Sequence, residues 1–173
     1  KLKDGDFKKR TEEFKKEINN GKNIDDIIIP AMALAREACF RGIGEKPYRV
    51  QIIGALAIYF GNIAEMKTGE GKTLTTVLAA YVNALSSKGV HVVTTNEYLS
   101  QRNAEWMKPI YDLLGVSDGI NIRDKNPQEK REAYNCDITY TTNNELGFDY
   151  LRDNLVKEKS QKVFSLIGCR YQS

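Results

Sequence analysis

Apolar residues fall at helical spacing through the first third of the chain, and short apolar runs replace that pattern afterwards. Phe7, Phe14 and Ile18 share one stripe of a helix predicted over residues 6–20, with Gly21 as its stop. Asp25 and Asp26 are placed to cap a second helix through Ala31–Phe40, which ends at Gly42. Gly42, Gly44 and Pro47 mark a loop, and a third apolar helix covers Val50–Phe60 and closes at Gly61. From there strands and helices alternate. Strands are predicted at Ile63–Met66, Val90–Thr94, Gly119–Ile122 and Asp137–Thr141, with a fifth beginning at Val163–Ile167. Helices are predicted at Lys72–Ser86, Glu97–Leu114, Gln128–Asn135 and Asn144–Asn154. This alternation implies an α/β fold: a parallel sheet with flanking helices on both faces, preceded by N-terminal helices. In such folds the strand-to-helix turns gather at one sheet edge, where ligands bind.

The patterning asks for a core that 173 residues can supply once, with 41% hydrophobic and 28% charged residues, as in an ordinary globular domain. Apolar runs such as Ile27–Ile29 and Ile52–Phe60 are far too short to span a bilayer, and no basic-then-apolar leader opens the sequence. Cys39, Cys136 and Cys169 lie far apart, without zinc or redox spacing, which suits a reducing cytosol. The net charge of +3 is local. Seven basic residues against four acidic ones in positions 1–16 give +3, so residues 17–173 balance. A mixed run of that kind reads first as a solvated helix face.

The most informative stretch is Met66-Lys67-Thr68-Gly69-Glu70-Gly71-Lys72-Thr73-Leu74, between an apolar run and an amphipathic helix. Gly-x-Gly-Lys-Thr in that setting is the core of a phosphate-binding loop. Gly69 and Gly71 allow a tight turn whose successive N–H groups face phosphates, and the helix from Lys72 adds the positive end of its dipole. Lys72 would reach the terminal phosphates, and the Thr73 hydroxyl would sit on Mg²⁺. The general pattern has a glycine where Met66 stands; helicase-like motors commonly lack it. His91, in a predicted strand, reads as a packed or edge residue, and Trp106 and Met107 as core. Asp149, Arg152 and Asp153 read as a structural charge cluster.

Several stretches together resemble SecA, the bacterial preprotein translocase motor. They are the loop with Glu70 between its glycines, Gly89–Thr94 leading into Asn96–Arg102 and Ala104–Met107, Asp137–Tyr140, Thr142–Glu145, and Gly147–Asn154. The resemblance runs from about Lys9 to about Ile167 and implies a RecA-like domain of helicase superfamily 2. Residues 1–61 would be a helical segment leading into the motor, and residues 62–173 an incomplete nucleotide-binding domain. It further implies ATP and Mg²⁺ as cofactors, with Thr68, Gly69, Glu70, Gly71, Lys72, Thr73 and Leu74 around the phosphates. Gln51 would read the adenine edge with Tyr48 beside the base, although the family has Asp where Arg49 stands and a surface helix residue is the plain alternative for Gln51. Arg102 matches a family position near the nucleotide, and is equally an ordinary arginine on an exposed helix start.

In SecA the fifth strand ends in the carboxylates of Asp-Glu-x-Asp, whereas Gly168-Cys169-Arg170-Tyr171 stand there in this chain. The expectation is a piece of a SecA motor, with altered last residues, that binds ATP and scarcely hydrolyses it. For the complete motor the resemblance implies the SecYEG channel and preproteins as partners, and a cytoplasmic location at the inner face of the plasma membrane. Anionic lipid near the basic first helix and a homodimer are compatible with it. Nucleic acid is not expected, since residues 17–173 lack the basic excess that helicases favour. A helicase-like ATPase and a non-catalytic nucleotide-binding remnant stay as alternatives.

Overall fold

The computed structural model describes residues 3–158 and 161–163. It divides into two compact units, Lys1–Ser87 with Met107–Val116, and Lys88–Trp106 with Ser117–Ser173.

The regular elements of the first unit, among its described residues, are all helical: α1 (Asp4–Asn19), a 3₁₀ turn (Ile24–Ile27), α2 (Ile28–Ile43), α3 (Arg49–Tyr59), α4 (Lys72–Ala84) and the second half of α5 (Glu97–Leu114). Phe7, Thr11 and Phe14 form the buried stripe of α1. The Thr11 hydroxyl meets the Tyr81 hydroxyl of α4 at 2.9 Å inside the core. α2 turns Ala31, Ala35 and Ala38 inward, all fully buried. Their small side chains allow close helix packing, and Gly42 takes this furthest: a Cβ there would lie 3.2 Å from the backbone nitrogen of Ile110. That approach explains why α2 runs through Gly42 and stops at Gly44, which is left-handed at φ +76°. Asn23 caps the 3₁₀ turn by accepting from the Asp25 N–H at 3.1 Å, and α2 follows from Ile27 with no side-chain cap, so Asp25 and Asp26 do not cap it.

α3 and α2 both pack on α4. Gly54 of α3 lets the helices close in, since a Cβ would stand 3.1 Å from the Thr75 methyl. This packing sets the start of α3 beside the start of α4. Residues 62–67 between them form no strand, and Ile63 is 97% exposed. The strand predicted at Ile63–Met66 is therefore absent. A strand exists only through a partner, and the described residues of this unit offer no sheet to join.

The second unit is built on a three-stranded parallel sheet, in the order β1 (Val90–Thr94), β3 (Ile138–Thr142), β2 (Asp118–Ile120). Every residue of the central strand β3 is buried, as expected of a parallel strand covered on both faces. α6 (Pro127–Tyr134) and α7 (Asn143–Leu155) complete the unit with the first half of α5. Local rules set the helix starts. Asn126 and Glu129 form a reciprocal capping box at 3.0 and 2.8 Å, with Pro127 at the first helical position. Thr142, the last residue of β3, caps α7 by accepting from the Glu145 N–H. Within α5, Met107 is fully buried as expected, but Trp106 is 40% exposed and not core. His91 packs edge-on against Tyr134, with ring centroids 5.6 Å apart.

A buried ionic network joins α6, α7 and the residue after β2. Lys130 Nζ donates to Glu145 Oε2 at 2.5 Å and Asp149 Oδ1 at 3.0 Å, with all three residues 5% exposed or less. Asp149 also accepts from Asn121 and Tyr134 at 2.8 Å each, and from Arg152. Burial pushes the Asp149 carboxyl up, but donors from Arg152, Asn121, Tyr134 and Lys130 outweigh it and hold the group below its usual range. Asp153 caps the Val163 N–H at 2.8 Å. The Asp149–Arg152–Asp153 cluster is thus structural, as the sequence suggests, though its buried partners Lys130 and Glu145 are additions. The predicted fifth strand lies outside the described residues beyond Val163.

Two outcomes are expected. Lys130→Met should cost about 3–5 kcal/mol in denaturant unfolding, because it strands two buried carboxylates without their shared cation. The Asp149 carboxyl sits below its unfolded value, so its stabilisation is complete above about pH 4 and is lost as pH falls through the folded value. Thermal midpoints should fall across that acid range in the parent protein, and Asp149→Asn should start lower and lose less on acidification.

Candidate functional site

The conspicuous local chemistry of the first unit lies where the loop after residue 67 enters α4. Gly71 is the N-cap residue of that helix, in a left-handed conformation at φ +79°, and no side chain caps it. Gly69 is left-handed too, at φ +88°. No acidic residue stands in the first turn of α4. Among the described residues nothing accepts from the N–H groups of Gly69, Gly71, Lys72 or Thr73. A helix end of this kind presents open donors and the positive pole of the dipole together. It attracts an anion. The Thr73 hydroxyl also makes no bond within the described residues, whereas Thr75 and Thr76 bond back to Gly71 O at 3.3 Å and Lys72 O at 2.9 Å.

Gly71 is also crowded, so that any side chain there would force Gln51 to move. A Cβ there would stand 2.0 Å from Gln51 Nε2. Gln51, in the first turn of α3, is only 5% exposed, so it is no surface residue. Its Oε1 accepts from the Tyr48 N–H at 2.8 Å, and its Nε2 donates to the Glu70 carbonyl at 3.0 Å. Each amide function keeps one further site, a lone pair on Oε1 and a hydrogen on Nε2. Tyr48 itself is 74% exposed, leaving its ring open. Arg36 of α2 fixes the approach to α3 by donating from Nε to the Pro47 carbonyl at 2.8 Å. Sequence reading missed that contact, and nothing in the spacing signals it.

The loop closes on itself through Lys67. Its carbonyl accepts from the Glu70 N–H at 3.2 Å and from Lys72 Nζ at 3.0 Å, while its N–H donates to Glu70 Oε2 at 2.7 Å. The structure therefore brings Gln51, Glu70, Gly71 and Lys72 together with Tyr48 alongside, and places Thr68, Gly69, Thr73 and Leu74 on the same loop and first turn. Leu74 is buried and anchors that turn in the core. Arg102 lies in the other unit, exposed on the second turn of α5. Cys39 is buried, and burial pushes its thiol up to about 12, so it is a core residue and no nucleophile. Gly168–Tyr171 lie outside the described residues. No described helix is long and apolar enough to cross a membrane, and no described cluster of His, Cys, Asp and Glu would hold a metal ion.

Comparison with known proteins agrees with this geometry. The family model described as the SecA DEAD-like domain matches residues 1–170. The chain is 56% identical over 162 residues to protein translocase subunit SecA 1 of Corynebacterium diphtheriae, covering 94% of this chain and 19% of that protein. It is 56% identical over 166 residues to protein translocase subunit SecA of Treponema pallidum, covering 94% and 18%. The SecA subunit of Mycoplasma mycoides is 58% identical over 162 residues, covering 94% and 17%. The chain thus spans about a fifth of the length of the curated relatives it matches. With a family match over nearly its whole length, and an α/β architecture of the RecA-like helicase kind, the chain belongs to the SecA DEAD-like domain family.

Proposed function

We propose that this chain is the ATP-binding part of a motor that drives preproteins across the bacterial cytoplasmic membrane. The observation that carries the reading is the uncapped start of α4, where open N–H groups, two left-handed glycines, Lys72 and an unengaged Thr73 hydroxyl converge. The names of the relatives, protein translocase subunits, supply the transport context.

The residues fit a nucleotide with its divalent cation. The N–H groups of Gly69–Thr73 would hold phosphate oxygens, and Thr68 and Leu74 would flank them. Lys72 would leave the Lys67 carbonyl to neutralise the terminal phosphates. Thr73 would hold Mg²⁺ through its hydroxyl, the ion supplying charge to the phosphate oxygens. Gln51 would use its remaining donor and acceptor on the adenine edge, with the open Tyr48 ring against the base. The stretch Phe164–Ser173 contains no carboxylate. Binding, rather than turnover, is the activity expected of these 173 residues, because hydrolysis needs charge and water positioning from several directions. In the whole protein the partners would be the SecYEG channel, preproteins and anionic lipid, at the cytoplasmic face of the membrane.

Titration calorimetry with Mg-ATP tests the site. Lys72→Ala should abolish measurable binding without altering the unfolding midpoint, because Lys72 is exposed and its bond to Lys67 is marginal for stability. Retained affinity in that variant would overturn the phosphate-loop assignment. Gly71→Ala should lose binding as well, and should also be less stable by about 1–3 kcal/mol from overpacking against Gln51.

A further inference from the structure

A carboxylate in the middle of an anion-binding loop needs a physical reason. Glu70 lies between the two left-handed glycines, on the segment that would meet phosphates, and its charge opposes a polyanion. The structure shows what it does instead. Its carboxylate accepts from the Lys67 N–H at 2.7 Å, its own N–H donates to the Lys67 carbonyl at 3.2 Å, and its carbonyl accepts from Gln51 Nε2 at 3.0 Å. Lys72 Nζ joins the same Lys67 carbonyl at 3.0 Å. One residue therefore ties the loop to itself and to the first turn of α3, and the lysine is drawn in with it.

We infer that Glu70 is a latch on this loop, a positioning residue that sets how fast and how tightly ATP enters. This rests on the nucleotide-binding reading above. In the closed loop the Glu70 carboxylate serves as an internal anion that keeps the Lys67–Glu70 turn folded, and Lys72 is held on a carbonyl. An incoming triphosphate competes for Lys72 and must displace the carboxylate. Gln51 links the two halves of the site: one Nε2 hydrogen holds the Glu70 carbonyl, and the other is left for the adenine edge. Apparent affinity is reduced by the fraction of molecules held closed, and anything that opens the latch raises it.

The test compares the wild-type chain with Glu70→Ala, Glu70→Gln and Lys72→Ala. It uses stopped-flow binding of a fluorescent ATP analogue with magnesium, together with amide exchange of the loop. Glu70→Ala should bind about two- to fivefold faster and tighter and lose the protection of the Lys67 amide, since an exposed charge-assisted bond is worth about a factor of that size. Glu70→Gln should fall between the two, because its amide oxygen still accepts from Lys67, only more weakly. Lys72→Ala should bind nothing. Rates in both Glu70 variants equal to or below wild type would overturn the latch. So would equality of the two variants with the gain erased by salt, which is the signature of simple charge repulsion. A wild-type chain that binds no ATP overturns the nucleotide reading and the latch together. A wild type that binds while its Glu70 variants match it overturns the latch alone.

Discussion

Everything at the candidate site depends on one residue having no side chain. Gly71 turns the chain in the left-handed region, opens α4 without a cap, and leaves room for the Gln51 amide where a Cβ would stand at 2.0 Å. A helix normally satisfies its first donors with Ser, Thr, Asp or Asn at this position, worth about 1 kcal/mol. Here that gain is forgone, and the first turn keeps its donors open. The packing of α3 on α4, eased at Gly54, makes the arrangement rigid enough to matter, since it fixes how close Gln51 comes to the loop.

The second unit solves a different problem. Its strands are short, and β3 carries buried Thr139, Thr141 and Thr142 where a parallel strand would ordinarily be aliphatic. Apolar burial therefore leaves a smaller share of the work to the sheet, and a polar network ties α6 and α7 to it. Thr139 donates to the Ala133 carbonyl at 2.7 Å, and the ionic cluster centred on Asp149 joins both helices to Asn121. Buried ions carry a large desolvation cost, and the cluster is tolerable because both Asp149 oxygens are saturated with donors. Such saturation fixes geometry. An alternative packing of α7 would leave a charge without its partner.

Legibility from sequence follows from how local each determinant is. The loop was readable because two glycines, a lysine and a threonine act within a few residues of one another, and because Asn126–Glu129 and Thr142 obey short-range capping rules. The strand expected at Ile63–Met66 was not, for three of its four residues satisfy an apolar criterion while the pairing that would make them a strand is non-local. Trp106 and Met107 show the limit of a helical stripe, since adjacent residues point 100° apart and only Met107 faces the core. Lys130 was invisible as a core residue because lysine is exposed by default, and only the fold brings two carboxylates to it. The adenine contact proposed for Gln51 came from family resemblance; its burial and its bond to Glu70 came from structure.

The energy scale of the closed loop gives the latch its meaning. Its bonds are solvent-exposed, and each such contact is worth about 1 kcal/mol or less. A triphosphate can place several oxygens on open N–H groups and on Lys72, in charge-assisted bonds worth about 1.5–3 kcal/mol each. The balance therefore turns on how many oxygens arrive together. A single small anion that engages two donors already offsets the loss of the Glu70 and Lys72 contacts, and a nucleotide that also draws on Gln51 exceeds it by a wider margin. On that reading the carboxylate does not spoil the anion site. It raises the threshold for entry, so that the loop favours a ligand long enough to reach from Gln51 to Lys72.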